Sequence, residues 1–287
     1  MRICARCAAP IAGHSWVCAC GWRAGVSGEV PRLAPDVKDA DGAFDDKRFA
    51  VLFELESGNF WFRSRSTLIH WALAKYFPHA RSMLELGCGT GFVASGIERH
   101  FPGLALVAAE LHSRGAELAR GRMRRAEVIQ MDGRCIAFRD EFDVAAAFDV
   151  IEHVEEDEKV LAQLHKSLKT PGGLLLTVPQ HRWLWSGVDA YSRHQRRYVR
   201  RELVAKVESA GFRVRRCTSF VSLLLPAVFL SRLRVKDVQH MDPEAEFRLP
   251  RVLNSVFELV MGFERLLIRS GLSFPAGGSL LLVAEKV

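Results

Sequence analysis

The sequence predicts an α/β fold in which helices cover both faces of a mostly parallel sheet. From residue 82 onward, short apolar runs typical of strands alternate with segments of helical period. The clearest run, Met83-Leu84-Glu85-Leu86, leads directly into three alternating glycines and a helix-like segment that begins at Phe92. Ligands of such sheets bind beyond the carboxyl ends of the strands, so we expect the functional residues in the loops that follow the strands.

The alternation predicts each element in turn. We predict helices over 92–100, 113–125, 155–168, 201–210 and 250–269, and strands over 104–110, 127–130, 143–148, 174–178, 212–220 and 279–285. A further helix is predicted before the glycines, with Ser66 or Thr67 as its cap. The aromatic run 60–62 just ahead of it is interpreted as core, with a lid over the ligand as the alternative.

Composition indicates a folded domain with a small appendage. Of 287 residues, 49% are hydrophobic and 25% are charged, which suits a protein with an apolar core. The net charge of +7 permits acidic partners without requiring them. No apolar signal segment follows Met1, and the apolar run 221–230 is too short to span a membrane and contains Pro226, so we expect a cytoplasmic protein.

Four of the seven cysteines, Cys4, Cys7, Cys18 and Cys20, lie in the first twenty residues. Two cysteine pairs about ten residues apart are typical of a zinc site in a segment too small for its own core. The second pair is C-x-C rather than C-x-x-C, and His14 is an alternative ligand. We predict a zinc-ribbon-like head over residues 1–28, a linker over 29–43 and the main domain over 44–287.

The glycines at 87, 89 and 91 do not have the dinucleotide spacing, because position 92 is Phe. They still predict a tight loop whose backbone N–H groups approach a ligand at a helix N-terminus. Glu110 ends the next strand, where a carboxylate would bind ribose hydroxyls. Asp132 follows the third strand of the series.

Two further stretches complete a pattern: Ala147-Phe148-Asp149-Val150-Ile151-Glu152-His153-Val154 and Leu168-Lys169-Thr170-Pro171-Gly172-Gly173. Together with the glycine loop, Glu110 and Asp132, they resemble the class I S-adenosylmethionine-dependent methyltransferases, close to the ubiquinone-biosynthesis-type subgroup. The resemblance covers about residues 80–220. It implies a Rossmann-like sheet of seven strands that ends in an antiparallel hairpin.

The resemblance also implies roles for individual residues toward S-adenosyl-L-methionine. Gly87, Gly89 and Gly91 would hold its methionine part, with Glu85 nearby. Glu110 would bind the ribose and Asp132 the adenine. Phe148 and Asp149 would line the site beside the sulfonium.

Methyl transfer needs alignment of donor and acceptor and, where the acceptor carries a proton, a general base. His153 is the leading candidate because it follows the fourth strand and because histidine titrates near neutrality. The alternatives are His181 and His194, in the loop after the fifth strand. That loop also holds two tryptophans and the arginine cluster 193–201, which we expect at the mouth of the site.

We therefore interpret the chain as a methyltransferase that acts by O- or N-methylation on a small or lipid-linked acceptor, expected to be anionic. The apolar insertion over 221–275 is predicted to act as a cap, with a homodimer contact or peripheral membrane contact as alternatives. A ribosomal RNA methyltransferase whose zinc ribbon recognises nucleic acid is the second interpretation. A non-catalytic binding module is the third, although the glycine loop and acids it would lack are present.

Overall fold

The computed structural model describes residues 1–13, 15–34, 46–234 and 248–287. His14, the linker from residue 35 to 43 and residues 235–247 of the insertion lie outside the described residues. The strands are β1 (Arg2–Ile3), β2 (Pro10–Ile11), β3 (Gly25–Ser27), β4 (Val30–Arg32), β5 (Ser82–Leu86), β6 (Ala105–Glu110), β7 (Glu127–Gln130), β8 (Phe142–Phe148), β9 (Leu168–Pro179), β10 (Phe212–Phe220) and β11 (Ser279–Lys286). The helices are α1 (Asp46–Leu55), α2 (Phe60–Tyr76), α3 (Phe92–His100), α4 (Ser113–Arg122), α5 (Asp157–Ser167), α6 (Gly187–Tyr191), α7 (Arg200–Ser209), α8 (Leu225–Arg234) and α9 (Arg251–Arg269).

The main sheet has the strand order β10-β11-β9-β8-β5-β6-β7-β4-β3 within the described residues. The strands from β5 to β9 pair in parallel, while β11 lies antiparallel between β9 and β10. This is the predicted seven-stranded Rossmann-like sheet with its closing hairpin. Its central strands are apolar on both faces, because helices pack on each side.

Two additional strands extend this sheet at the edge beside β7. The short hairpin of β3 and β4 joins it through one parallel pairing, Arg32 with Gln130. The Gln130 side chain reinforces the pairing, because it accepts from the Ala34 N–H at 3.2 Å and donates to the Ala34 carbonyl at 3.0 Å. The segment where the sequence predicted the start of a linker, residues 30–32, is therefore a strand of the main sheet, between β7 and the edge strand β3.

The cysteine-containing head docks against β7 and the loop that follows it. Trp16 donates from its indole to Glu127 at 3.1 Å, and Arg2 forms an ion pair with the same carboxylate. The Arg2 guanidinium also lies over the Trp16 ring, at 4.6 Å from the centroid. Trp16 packs edge-on against Phe138, so the head shares the core of the main domain.

The helix before the glycine loop begins earlier than predicted. Asn59 caps α2, because its side-chain oxygen accepts from the Trp61 N–H at 2.8 Å. The predicted caps, Ser66 and Thr67, lie inside the helix. Phe60 consequently packs edge-on against Phe257 of α9, at 5.2 Å between ring centroids, and belongs to the core rather than to a lid.

The insertion between β10 and β11 packs on α2 through α9. Arg63 of α2 forms an ion pair with Glu258, and Asn254 accepts from the Phe60 N–H at 2.8 Å. Across the described residues, none of the helices is both long enough and apolar enough to cross a membrane.

Candidate active site

The glycine loop between β5 and α3 forms the floor of the site. Gly87, Gly89 and Gly91 all have positive φ, at 68°, 55° and 80°, which only glycine adopts without strain. A Cβ on Gly87 would lie 2.4 Å from Val150 in the loop after β8, and one on Gly91 would lie 2.9 Å from Ala119. A Cβ on Gly89 would meet open space, so the backbone at Gly89 is the part of the loop that a ligand can approach.

Glu110, at the end of β6, faces this loop. One carboxylate oxygen accepts from the Gly89 N–H at 2.8 Å, and the other accepts from the N–H groups of Leu111 and His112 at 2.9 and 3.0 Å. These bonds fix the carboxylate beside Gly89. A carboxylate has about four acceptor positions, so one remains for a ribose hydroxyl.

Glu85 is buried in β5 with a relative exposure of 2%. Its Oε2 atom has no hydrogen-bond partner among the described residues. Burial raises the pKa of Glu85 to about 8, against a smaller opposing effect of Arg65. An orphaned acceptor just before a glycine loop fits the ammonium group of the methionine part of S-adenosylmethionine.

On the other side, the glycine loop is held by a set of contacts that the sequence analysis missed. Glu56, just after α1, accepts from the Thr90 hydroxyl and from Arg122, both at 2.6 Å. The Arg122 guanidinium lies over the ring of Phe53, at 3.9 Å from the centroid. Three separate segments therefore meet at Thr90, and no local motif relates them.

Asp132 lies after β7, where the resemblance places the adenine contact. Its carboxylate pairs with Arg134, with the shortest contact at 2.7 Å. Burial alone would raise the pKa of Asp132, but hydrogen bonds and the charge of Arg134 lower it below its usual range. The group is therefore ionised and held by Arg134, and its adenine role stays a prediction.

The loop after β8 carries the acidic and imidazole groups. Asp149 has a positive φ of 56° and forms an ion pair with Arg65 of α2. The Arg65 guanidinium also lies over Trp61, at 4.6 Å from the ring centroid. Arg65 was missed by the sequence analysis, because only the fold brings α2 to this loop. Phe148, the last residue of β8, is buried.

Glu152, His153 and His194 come together beside this loop. Each offers a ligand atom, and these atoms lie within 4.8 Å of one another. The two imidazole rings are edge-on, at 4.6 Å between centroids. Glu152 is fully buried, and neither of its carboxylate oxygens has a hydrogen-bond partner in the described part of the chain.

Burial also sets the protonation of this cluster. Burial, together with the neighbouring carboxylate of Asp149, raises the pKa of Glu152 well above its usual range. Burial, with the charges of His194 and Arg48, lowers the pKa of His153 to about 3. The expectation that His153 titrates near neutrality is therefore wrong: it is a neutral imidazole at physiological pH.

His194 has the support of a carboxylate. Its Nδ1 atom lies 2.9 Å from Asp189, which also accepts from Arg197 at 2.7 Å. Burial would raise the pKa of Asp189, but these two partners hold it well below its usual range. An ionised Asp189 requires the proton of neutral His194 on Nδ1, so Nε2 is left as an acceptor.

The arginines expected at the mouth of the site have other roles. Arg197 is buried against Asp189, and Arg196 forms an ion pair with Asp157 at 2.8 Å. Both guanidiniums pair with buried carboxylates, which leaves them fewer donors for a ligand, and binding of an anionic acceptor by this pair stays a prediction. His181, the third base candidate, stacks on Trp183 at 5.0 Å between ring centroids, at the start of a 3₁₀ turn.

The four head cysteines converge on one point. The Sγ atoms of Cys4 and Cys20 lie 3.8 Å apart, those of Cys7 and Cys18 lie 3.7 Å apart, and all four fall within 4.8 Å. A tetrahedral zinc with Zn–S bonds of about 2.3 Å has S···S edges of about 3.8 Å. These distances are too long for disulfides. The cysteine set therefore has the dimensions of a zinc site despite its short C-x-C pair.

A family model described as a methyltransferase domain matches residues 58–216, which is more than half of the chain. The chain belongs to the methyltransferase domain family. The match runs from the start of α2 into β10 and contains the glycine loop and the acidic and imidazole groups around it, but not Glu56, Phe53 or the head cysteines. It confirms the predicted enzyme class.

Among curated proteins, a probable S-adenosylmethionine-dependent methyltransferase of Mycobacterium tuberculosis is 28% identical over 191 residues, covering 65% of each chain. The chain thus spans just under two thirds of the length of that relative. A malonyl-[acyl-carrier protein] O-methyltransferase of Priestia megaterium is 27% identical over 112 residues, covering 38% of this chain and 41% of its own.

Among solved structures, a phosphoethanolamine N-methyltransferase 2 of Haemonchus contortus superposes with a TM-score of 0.56 at 15% identity. The superposition covers 86% of this chain and 58% of that one, whose structure contains S-adenosylhomocysteine and phosphomonomethylethanolamine. At this identity the likeness concerns the fold alone, and it confirms the Rossmann-like architecture. The ubiquinone-biosynthesis-type subgroup and the zinc ribbon stay predictions.

Proposed function

We propose that this protein transfers the methyl group of S-adenosyl-L-methionine to a hydroxyl oxygen of a small or lipid-linked acceptor. The observation that carries this proposal is the His194–Asp189 pair beside His153, next to a glycine loop that has an open face at Gly89. Relatives whose names describe S-adenosylmethionine-dependent methylation and O-methylation support it.

The residues present fit the methyl donor. Gly89 leaves room at the loop backbone, the orphaned oxygen of Glu85 accepts an ammonium group, and Glu110 is held where a ribose would lie. Asp132 provides an ionised acceptor for adenine. When bound, S-adenosylmethionine supplies an activated methyl group, so the protein's own contribution is alignment and the removal of a proton.

We assign proton removal to Nε2 of His194. The Asp189 carboxylate fixes the ring through Nδ1 and stabilises the imidazolium that forms when Nε2 takes the acceptor proton. His153 is not assigned this role, because burial lowers its pKa and so opposes its protonation. His153 instead packs against His194 and restricts the orientation of its ring.

A cleft of about 530 Å³ between the loop after β9 and α8 supports the proposal that part of the acceptor is apolar. Trp183, Leu225, Pro226 and Phe229 line this cleft, and Trp183 packs edge-on against Phe229 at 5.7 Å. A ribosomal RNA acceptor would leave this apolar lining without a role.

The test is a methylation assay with labelled donor on separated RNA, lipid and small-metabolite fractions, repeated with His194→Asn. Asparagine keeps a donor toward Asp189 but lacks the base, so we expect label in the lipid or metabolite fraction and a fall in kcat of about 10²–10³-fold. Donor affinity should be unchanged. The matched control is His165→Asn, a partly buried ring that packs on Phe212. Label in RNA, or full activity of His194→Asn, contradicts the proposal.

A second candidate is that the same cluster holds a divalent cation that binds the acceptor oxygen. The observation that favours it is Glu152, a buried carboxyl group without hydrogen-bond partners among the described residues, which offers one oxygen within 4.8 Å of a ring nitrogen of each histidine. Chelator treatment separates the two. A base alone predicts that wild type and Glu152→Gln respond alike to chelator and to added metal, through the head cysteines, whereas a cation site predicts a loss that added Mg²⁺, Mn²⁺ or Zn²⁺ restores in wild type and not in Glu152→Gln.

We propose in addition that the head cysteines bind one structural zinc. The support is the tetrahedral size of the Sγ cluster. Two turns present the thiolates: the Arg6 N–H points to the Cys4 sulfur at 3.4 Å, and Gly21, with φ of 85°, closes the second turn onto Cys18. The zinc would hold together a head whose two-stranded sheet is too small to fold by itself.

A further inference from the structure

Helix α9 presents an apolar stripe to solvent. Its members recur at alternating intervals of four and three residues, and all are exposed: Val252, Val256, Leu259, Phe263 and Leu266. Val252 and Leu259 are 78% and 76% exposed. The opposite face of the helix carries the buried residues Met261, Glu264 and Ile268, so the stripe is not the side that holds α9 to the protein.

The apolar surface is wider than one stripe. Leu253, Val260 and Leu267 lie beside it on the helix, which gives an apolar arc of about 140° at 100° per residue. Glu264 accepts from the N–H groups of Ser222 and Leu223 at 2.7 and 2.8 Å and so fixes the start of α8 to α9. Helix α8 adds the exposed side chains of Phe229 and Leu230 to this apolar surface. Trp183, at the mouth of the site, is also exposed and packs against Phe229.

The charged residues of α9 that are fully exposed are arginines. Arg251 and Arg269 are exposed at the two ends of α9, on the same side of the helix and about 100° from the centre of the stripe. Both acids of residues 248–275 are engaged within the protein: Glu258 pairs with Arg63, and Glu264 is fully buried. Arginines at the border of an apolar helical face are typical of helices that lie in a membrane interface.

A second copy of the chain fits this face less well. A two-fold contact through the stripe with antiparallel α9 helices brings Arg251 of one copy to Arg269 of the other, and thus opposes like charges. With parallel helices the same contact places Arg251 against the apolar Leu253 side of the other copy, where its charge has no partner on α9. The apolar arc also exceeds the narrow seam of a two-stranded coiled coil. An anionic bilayer matches both the width of the arc and the sign of the charges.

We propose that the outer face of α8 and α9 docks the protein on the surface of an anionic lipid bilayer. The apolar side chains enter the interface, while Arg251 and Arg269 contact acidic headgroups. The contact between Trp183 and Phe229 then places the mouth of the candidate active site at the lipid surface. This docking depends neither on the methyl donor nor on the identity of the acceptor.

The test is flotation of the full chain with phosphatidylcholine vesicles that either contain or lack phosphatidylglycerol. We expect binding to the anionic vesicles that weakens with added salt. Val252→Glu/Leu259→Glu should reduce binding at least about tenfold, because two carboxylates would enter the interface. The matched control is Val26→Glu, the same change at a side chain that is 66% exposed on the edge hairpin, and it should bind like wild type.

Light scattering and calorimetry on the same proteins complete the test. The proposal expects wild type and the double variant to share one oligomeric state and one affinity for S-adenosylmethionine, which also shows that the variant is folded. Absence of wild-type binding to anionic vesicles would overturn it. Equal vesicle binding by wild type and the double variant would also overturn it. A wild-type dimer that the two substitutions dissociate would do the same, because a second copy of the chain would then occupy the face.

Discussion

At the residue scale, burial determines what the ionisable groups of the site can do. Glu85, Glu152 and His153 are all shifted toward their neutral forms, because the protein surrounds them with apolar strands and helices. Asp189 is shifted the other way by His194 and Arg197. The site therefore contains three groups that burial keeps neutral. It also contains the ionised Asp189 carboxylate, which orients the imidazole of His194.

The raised pKa of Glu85 makes a prediction about stability. The pKa of Glu85 is about 8 in the folded protein, against an ordinary value of 4.5 in the unfolded chain. The protonated carboxyl group therefore contributes its full stabilisation of the fold only below pH 4.5. This contribution is lost as the pH rises through about 8. Glu85→Gln removes the ionisation, so the variant should gain stability over wild type as pH rises, by about 2–4 kcal/mol at high pH.

Urea denaturation at about pH 5 and about pH 8.5 measures this difference. The same substitution at Glu208, an exposed carboxylate on α7, is the control and should shift neither midpoint much. A wild-type stability that rises over this range relative to Glu85→Gln would contradict the account of a buried neutral carboxyl.

At the element scale, periodicity predicted the regular parts of the chain closely. Helix α3 and strands β7 and β10 have the predicted bounds, because alternating and helical apolar patterns are local properties. The cap of α2 was missed because Asn59 lies ahead of an aromatic run that hid the helix start. The edge hairpin was missed because its pairing depends on Gln130, far along the chain.

The site could be predicted in part for the same reason. The glycine loop, Glu110 and Asp132 lie next to strand ends and carry local signals. Arg65 and Arg122 come from helices that only the fold brings to the loops. Arginine-rich sequence at 193–201 predicted an exposed anion site, but it could not show the buried Asp157 and Asp189 that pair with Arg196 and Arg197.

The head makes a prediction at this scale. We expect about one zinc per chain in the purified protein, lost in Cys7→Ser with a drop in melting temperature, because the thiolates would hold the two turns together. Metal analysis by mass spectrometry measures it. Cys135→Ser, at an exposed cysteine outside the cluster, should keep the metal. A folded, metal-free wild type with four titratable head thiols would refute the zinc proposal.

At the scale of the whole molecule, the site, head and apolar face are parts of one packed unit. The head continues the sheet beyond β7 through β4, the α1 segment closes the glycine loop, and the insertion is held to α2 by Arg63 and Glu258. Contacts of Gly89 with Glu110 and of Gly87 with Val150 bring the loops after β5, β6 and β8 together at the carboxyl ends of the strands. We expect the methyl donor and the acceptor to meet there.

The most direct test of the central claim is calorimetry of the wild-type protein with S-adenosylmethionine, S-adenosylhomocysteine and NAD, repeated with Glu110→Ala. We expect binding of both methionine derivatives and no binding of NAD. We also expect a loss of about 1–3 kcal/mol in Glu110→Ala, because a charged hydrogen-bond acceptor is removed. Glu117→Ala, on the exposed side of α4, should bind like wild type. Tight NAD binding, or donor affinity that is the same with and without Glu110, would contradict the account.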